Sequence, residues 1–297
     1  VEYAGFAIPD QDIVNCIRYA VRHRRADGWM PDRVTTDGLA VYAAGIAAAP
    51  VGEANLDNTP FLIFTVYSLS RRMDPEAFLP LFTEWEADLE QGLFLLPIDE
   101  NGLVYNDVQT PHSPYGFTDT IGKTGTLYME SLLYWRACRM MERMCKTYGI
   151  KNPDRFAKAA ESVERSLSLL FDPAAGAFYA ATKDCHQYDI WGMAYMLYIG
   201  FPCSADEKQA VLSFLEKNYD ACVYRGQVRH LLKGQYWERL LINVEPETYQ
   251  NGAYWATASG WMIWCLAQQN PALAVRALED VVSCFKTDGS FECINEG

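Results

Sequence analysis

Apolar positions recur along this chain with the 3.6-residue period of a helix, and they do so in two forms. In the first form they make a single stripe. Ile13, Cys16, Ile17, Ala20 and Val21 share one face of a helix predicted over residues 12–25. Asp74-Pro75 reads as an N-cap and first-turn pair opening a helix to about residue 89. Asn152-Pro153 does the same ahead of the stripe Phe156, Ala160, Val163, Leu167 and Leu170. Ser204 and Glu207 have the spacing of a capping box before Val211, Phe214 and Leu215. Asn270-Pro271 opens a last helix of this kind, to about residue 285. In the second form the segment is apolar on nearly all sides and rich in aromatics: residues 58–69, 124–144, 189–199 and 254–267. Such helices must be buried all round.

The two forms alternate with a period of roughly 60–70 residues. Stacked helical hairpins, each with one buried and one half-exposed helix, satisfy that alternation. Closed on itself, such a stack is an all-α, (α/α)6 toroid of inner and outer helices; left open, it is a solenoid. The polar-aromatic loops ahead of the buried helices favour closure, since a ring turns those loops toward one centre. Four inner–outer pairs are complete, with residues 12–25 as an extra outer helix and a short helix expected over 38–49. That count leaves the ring incomplete at one or both ends. No Gly/Ser-rich linker or charge block divides the sequence, so residues 1–297 read as one domain.

Composition narrows the partners. The 297 residues are half hydrophobic, enough for a sizeable core, and carry a net charge of -13. Nucleic acid and anionic membrane surfaces need clustered Lys and Arg, so both are excluded as expected partners. No apolar run reaches the ~20 residues of a membrane span. The sequence opens at Val1 without Met, as a fragment or processed chain would, and its first residues are no signal peptide. The nine Cys show no Cys-x-x-Cys spacing and several lie in apolar helical stretches. They read as buried free thiols of a reducing compartment, which points to the cytoplasm. None of the four His has ligand spacing, so no metal and no cofactor is expected.

The loops before the buried segments share a chemistry. Trp29 and Arg33, Asp57 and Asn58, Tyr115 with Asp119, Asp189 with Trp191, and Gln250, Asn251 and Trp255 each couple an aromatic or apolar stretch with a bidentate polar group. Sugars are held in this way: C–H faces stack on rings, and hydroxyls take polar partners. Each residue has a structural alternative. Asp57 and Asp189 stand where N-caps stand, Trp191 and Trp255 where core residues stand, and Asp32-Arg33 can pair locally. His112 and His186 read as hydrogen-bonding groups. Asp119 differs, because the turn 122–125 separates it from the helix that follows. A second acidic segment, 288–296, offers Glu292 and Glu296 as its partner. Inverting cleavage of a glycosidic bond needs two carboxyl groups ~6.5–9.5 Å apart, one acid and one base. Glu296 alone reads as a solvated terminal carboxylate. The turn around Lys123 is no phosphate loop, since the Gly-x-x-x-x-Gly-Lys-Ser/Thr spacing is absent.

Three blocks carry a resemblance. Thr118-Asp119, Gly122-Lys123-x-Gly125 and Glu130-x-x-Leu133-Tyr134 together resemble the acid-bearing block of the six-hairpin glycosidases, among them trehalase, processing α-glucosidases and the glucosidase part of glycogen debranching enzymes. Tyr249-Gln250-Asn251-Gly252-x-x-Trp255 is similar to their Tyr-x-Asn-Gly-x-x-Trp block. Phe291-Glu292-Cys293-Ile294-Asn295 is similar to their base-bearing Glu-x-Tyr-Asn/Asp block. The resemblance implies an (α/α)6 toroid and an inverting glycoside hydrolase acting on an α-linked glucoside or related oligosaccharide. It implies Asp119 as general acid and Glu292 as general base. Trp29, Arg33, Asp57, Asn58, Tyr115, Lys123, Asp189, Trp191, Gln250, Asn251 and Trp255 are then the expected substrate-binding set. This chain departs from the pattern at Phe117-Thr118, where the family has a Trp before the Asp, and it shows no N-terminal β-sandwich. Two alternatives stay open: a carbohydrate-binding or inactive glycosidase-like protein, and a sugar epimerase or polysaccharide lyase on the same toroid.

Overall fold

The computed structural model describes residues 7–46, 48–150 and 152–296. Helices dominate it, and the loops between them carry antiparallel ladders only two or three residues long. Packing divides the chain into two compact units. The first takes Val1–Asp119 and Leu133–Ser166; the second takes Thr120–Leu132 and Leu167–Gly297.

The first unit holds α1 (Asp10–Arg22), α2 (Asn58–Ser70), α3 (Pro75–Leu93), α5 (Pro153–Ser166) and the greater part of α4 (Tyr128–Tyr148). Of the expected stripe, helix α1 buries Ile13, Ile17 and Val21, with Val14 beside them, while Ala20 is half-buried and Cys16 faces out; the helix starts earlier, directly after Pro9, and ends at Arg22. Asp74 caps α3 as its sequence position demands, accepting from the Glu76 amide at 2.9 Å, with Pro75 behind it. Phe78 and Phe82 of α3 pack on the Tyr148 ring of α4 at 5.2 and 6.0 Å. Glu164 of α5 accepts from Trp135 Nε1 and from Arg139 Nη2 of α4, both at 2.7 Å. Carboxylates held by two charged or aromatic N–H donors lock such helix pairs in register.

Two expectations fail in this unit. Residues 38–49 form no helix. Arg33–Val34 pairs with Ala40–Val41, and Ala44–Ile46 pairs with Ala49–Val51, in two small hairpins; Ala47 itself lies outside the described residues. The reason is backbone conformation. Gly45 sits at φ 84°, where a Cβ would stand 2.7 Å from the Ala49 carbonyl, and Pro50 supplies no N–H for a helix to use. Nor is α2 buried all round, since Phe61 is 38% exposed.

The second unit holds the first turn of α4, then α6 (Ile190–Tyr198), α7 (Ala205–Lys217), the single turn α8 (Tyr219–Cys222), α9 (Ser259–Gln269) and α10 (Pro271–Asp288). Every residue of 190–197 is buried, as an all-round apolar pattern requires. Helix α9 packs on α6, α7 and α10. The capping box of α7 is complete in both directions, and Asn270 caps α10 by accepting from Leu273 N at 3.2 Å. Here too the expected bounds shift. Helix α4 begins at Tyr128 and not at residue 124, because Gly125 takes φ 80° and Leu127 bridges Ala181 as extended chain. Tyr254 and Trp255 are likewise extended, bridging Ile294 and Val228, so the last buried helix starts only at Ser259 after a turn of 3-10 helix. Apolar periodicity over such stretches does not separate a buried strand turn from a buried helix turn.

All nine cysteines are free thiols, and Cys138, Cys145, Cys185, Cys222, Cys265 and Cys284 are buried, as their apolar surroundings in the sequence imply. Among the described residues no helix is long and apolar enough to cross a membrane.

Candidate functional site

In the first unit, loop 28–33 runs beside the start of α2. Asp32 Oδ1 accepts from Asn55 Nδ2 at 3.0 Å, and Asp32 Oδ2 meets Arg33 Nη1 at 2.5 Å. Arg33 also donates to the Gly45 carbonyl, so its guanidinium is engaged by its own hairpin. The local ion pair is therefore what Asp32 and Arg33 form. Trp29 is buried against the His112 ring at 5.2 Å, and His112 Nδ1 lies 3.1 Å from the Ala54 carbonyl. Burial lowers the imidazole pKa, which favours the neutral ring.

Asp57 occupies the N-cap position of α2 but makes no capping hydrogen bond. Its buried carboxylate instead reaches loop 113–119, where Oδ2 accepts from the Gly116 amide at 2.8 Å. Asn58 Nδ2 donates to the carbonyls of Met30 and Tyr42 at 3.0 and 2.9 Å. Asp32, Asp57 and Asn58 line one cleft of about 280 Å³ together with Phe61 and Thr65 of α2. Phe61 is the member that sequence reading missed. It sits inside an all-round apolar run, and nothing in that run distinguishes the position that opens to solvent. Its ring stacks on the buried Tyr115 at 6.0 Å and 22°. Asp119 ends this unit at a partly exposed position, with Ser113 Oγ 3.3 Å from its carbonyl oxygen.

The second unit begins at the next residue. Thr120 donates from both N–H and Oγ1 to Gln250 Oε1, at 3.0 and 2.7 Å. Leu241 N donates to the Thr120 carbonyl at 2.7 Å, and Gly122 N to the Arg239 carbonyl at 2.9 Å. Lys123 is buried with a carboxylate of α4: its Nζ lies 2.5 Å from Glu130 Oε1, with the two side chains 1% and 2% exposed. Asp189 does cap α6, accepting from Gly192 N at 2.9 Å. Its burial pushes its pKa up, while the nearby Lys123 charge pulls the other way. Asn251 is spent on the backbone, accepting from Trp237 N and donating to the Val244 carbonyl, both at 2.9 Å.

The expected platforms are covered. Trp191 and Trp255 are buried, their indole N–H groups donate to the Val228 and Tyr249 carbonyls at 3.1 Å, and Trp191 stacks on His230 at 3.8 Å. Trp29 and Tyr115 are buried too. A ring that stacks on sugar needs an open face, and these four rings turn theirs to protein. Both terminal carboxylates, Glu292 and Glu296, are exposed; Glu296 also accepts from Tyr254 Oη at 2.6 Å and pairs with Lys233. The Lys233 ammonium, then the Tyr254 hydroxyl, hold the Glu296 carboxyl below its ordinary pKa.

No family model matches the chain, and no curated protein matches it. Solved structures do. A GH63 mannosylglycerate hydrolase from Thermus thermophilus, in complex with Tris, superposes with a TM-score of 0.68 at 14% identity, covering 98% of this chain and 84% of that one. An uncharacterized conserved protein from the same organism gives 0.63 at 14% identity over 96% of this chain and 82% of that one. A rhamnosidase from Klebsiella oxytoca with rhamnose bound gives 0.64 at 12% identity over 98% of this chain, which spans 49% of that longer one. At such identities likeness shows fold and not activity, and the fold it shows is the all-α toroid on which these glycoside hydrolases are built.

Proposed function

We propose that this chain is a glycoside hydrolase that cleaves an α-linked glucoside or related oligosaccharide with inversion. Asp119 is the general acid and Glu292 the general base. The observation that carries the reading is Asp119 itself: a half-buried acidic residue ending an aromatic loop whose backbone is anchored through Ser113 before it and Thr120 after it. The glycoside hydrolases among its structural neighbours support the reaction class. Asp32, Asp57, Asn58 and the exposed face of Phe61 supply the polar and apolar contacts a sugar ring needs.

The mechanism follows from the roles. An acid must keep its proton until the glycosidic oxygen takes it, which is the role proposed for Asp119. A base must be reached by the water it activates, and the exposed position of Glu292 allows that. A sugar-binding protein without hydrolysis is the second reading. It is favoured by the cleft of Asp32, Asp57, Asn58 and Phe61, which offers polar and apolar contacts to a sugar without calling on Glu292.

Variants at the two carboxylates separate the readings. Asp119→Asn is expected to lose turnover on disaccharides and to keep activity on a glycosyl fluoride, whose departure needs little protonation. Glu292→Gln is expected to lose both, with partial recovery when azide replaces water. Near wild-type turnover of Asp119→Asn on a disaccharide would remove it as the acid. Sugar binding with no turnover in the wild type would select the second reading.

A further inference from the structure

We propose that the segment 250–254 is a bracket of the second unit that holds Thr120 and Ile294 in place, with Gln250 as the positioning residue for the chain that leads into Asp119. This rests on the roles just assigned to Asp119 and Glu292. At one end, Gln250 Oε1 accepts two hydrogen bonds from Thr120, the residue bonded to Asp119. At the other end, Tyr254 exchanges two backbone hydrogen bonds with Ile294, each 2.9 Å, two residues beyond Glu292. Five residues of chain therefore tie Thr120 to Ile294 within the second unit.

The bracket is held stiffly. Glu247 and Tyr249 both take positive φ, 61° and 41°, a conformation that costs energy unless its surroundings enforce it. Here the enforcement is visible. Asn251 bonds Trp237 and Val244, Trp255 Nε1 donates to the Tyr249 carbonyl, and Trp237 Nε1 donates to the Gln250 carbonyl at 3.0 Å. Gln250 is buried, and its side-chain oxygen faces Thr120. The sequence reading gave Gln250 to the substrate; its geometry assigns it to the protein. An acid displaced by about 1 Å can lose on the order of 100-fold in rate. The bracket acts by preventing that displacement.

The test compares Gln250→Met with the wild type on a disaccharide and on the corresponding glycosyl fluoride. Methionine keeps the volume and removes the acceptor. The expected result is a fall in kcat of on the order of 10- to 100-fold on the disaccharide with KM little changed, and less than about threefold on the fluoride. Thr120→Val, which removes the shorter of the two bonds, is expected to follow Gln250→Met, and Thr120→Ser to restore activity. Equal losses on both substrates, or none, would overturn Gln250 as the positioning residue of an acid. Amide exchange makes the test of the bracket independent of the catalytic assignment. Peptides covering residues 116–122 are expected to exchange faster in Gln250→Met while those covering 190–198 do not. Unchanged exchange at 116–122 would refute the bracket even in a protein that hydrolyses nothing, whereas faster exchange without the leaving-group difference would keep the bracket and reject the role given to Asp119.

Discussion

Lys123 shows how a residue's type misleads where its burial informs. A lysine in a polar turn beside a candidate acid reads as a substrate contact, yet its ammonium is buried 2.5 Å from Glu130. Removing one member of such a pair leaves an uncompensated charge in the core. Lys123→Met should therefore cost about 3–5 kcal/mol in denaturant unfolding, and adding Glu130→Leu should recover most of it. A loss under about 1 kcal/mol would mean the pair is hydrated. Asp189 extends the cluster. Its folded-state pKa is raised, so the folded protein keeps a proton that the unfolded chain has already released. Stability contributed this way is present below the unfolded value and falls as pH rises through the window between the unfolded and folded values. Asn caps a helix about as well as Asp. Asp189→Asn should thus gain on the wild type as pH rises from about 4 toward 7, measured by urea unfolding at each pH. A constant difference across that range would contradict a raised Asp189.

At the scale of the element, the long periodic helices were legible, while their ends and the hairpins that replace a helix over residues 38–49 were not. The caps at Asp74, Ser204 and Asn270 each close as their spacing implies, because a side-chain acceptor at a fixed offset is a local property. The starts of α4 and α9 were misjudged, because an extended buried turn and a helical buried turn carry the same apolar residues. Phe61 was hidden for the same reason, and so was the cover over Trp191 and Trp255: which face of an apolar helix opens depends on its neighbours. Asp57 was half legible, since its position is that of a cap but its hydrogen bond goes to Gly116. The hairpin 223–228 offers a sharper test of element packing. Arg225 and Gly226 take φ 51° and 74°, the two-residue turn that suits a twisted hairpin. A Cβ on Gly226 would stand 2.5 Å from the backbone of α10 at Ala277 and Val281. Gly226→Ala should destabilise the protein by about 2 kcal/mol or more in thermal or denaturant unfolding. Ser204→Ala, by contrast, should cost about 1 kcal/mol, with faster amide exchange confined to the first turn of α7. A reversed order of these two losses would show that the hairpin does not sit on α10 as described.

For the whole molecule, the alternation of one-faced and all-round apolar segments made stacked helical hairpins legible, while closure into a toroid rested on the polar-aromatic loops and on the resemblance of the three blocks. Chemistry was legible only in part. The blocks around Asp119, Gln250 and Glu292 marked the segments from which the proposed site is built, but residue types alone could not divide them into groups that touch sugar and groups that hold those groups in place. Buried Gln250 and Asn251 are both bonded to protein, whereas Asp32, Asp57 and Phe61 line an open cleft, the part of the proposed site that a sugar could reach. The most direct measurement is proton NMR of the wild-type protein acting on a panel of α-linked disaccharides, mannosylglycerate and rhamnosides, following the anomeric signal of the first-formed sugar before mutarotation. An acid–base pair working across an intervening water gives the opposite anomer to that of the substrate, and that is the result expected for at least one member of the panel. A retained anomer, or no hydrolysis of any member by folded protein, would contradict it.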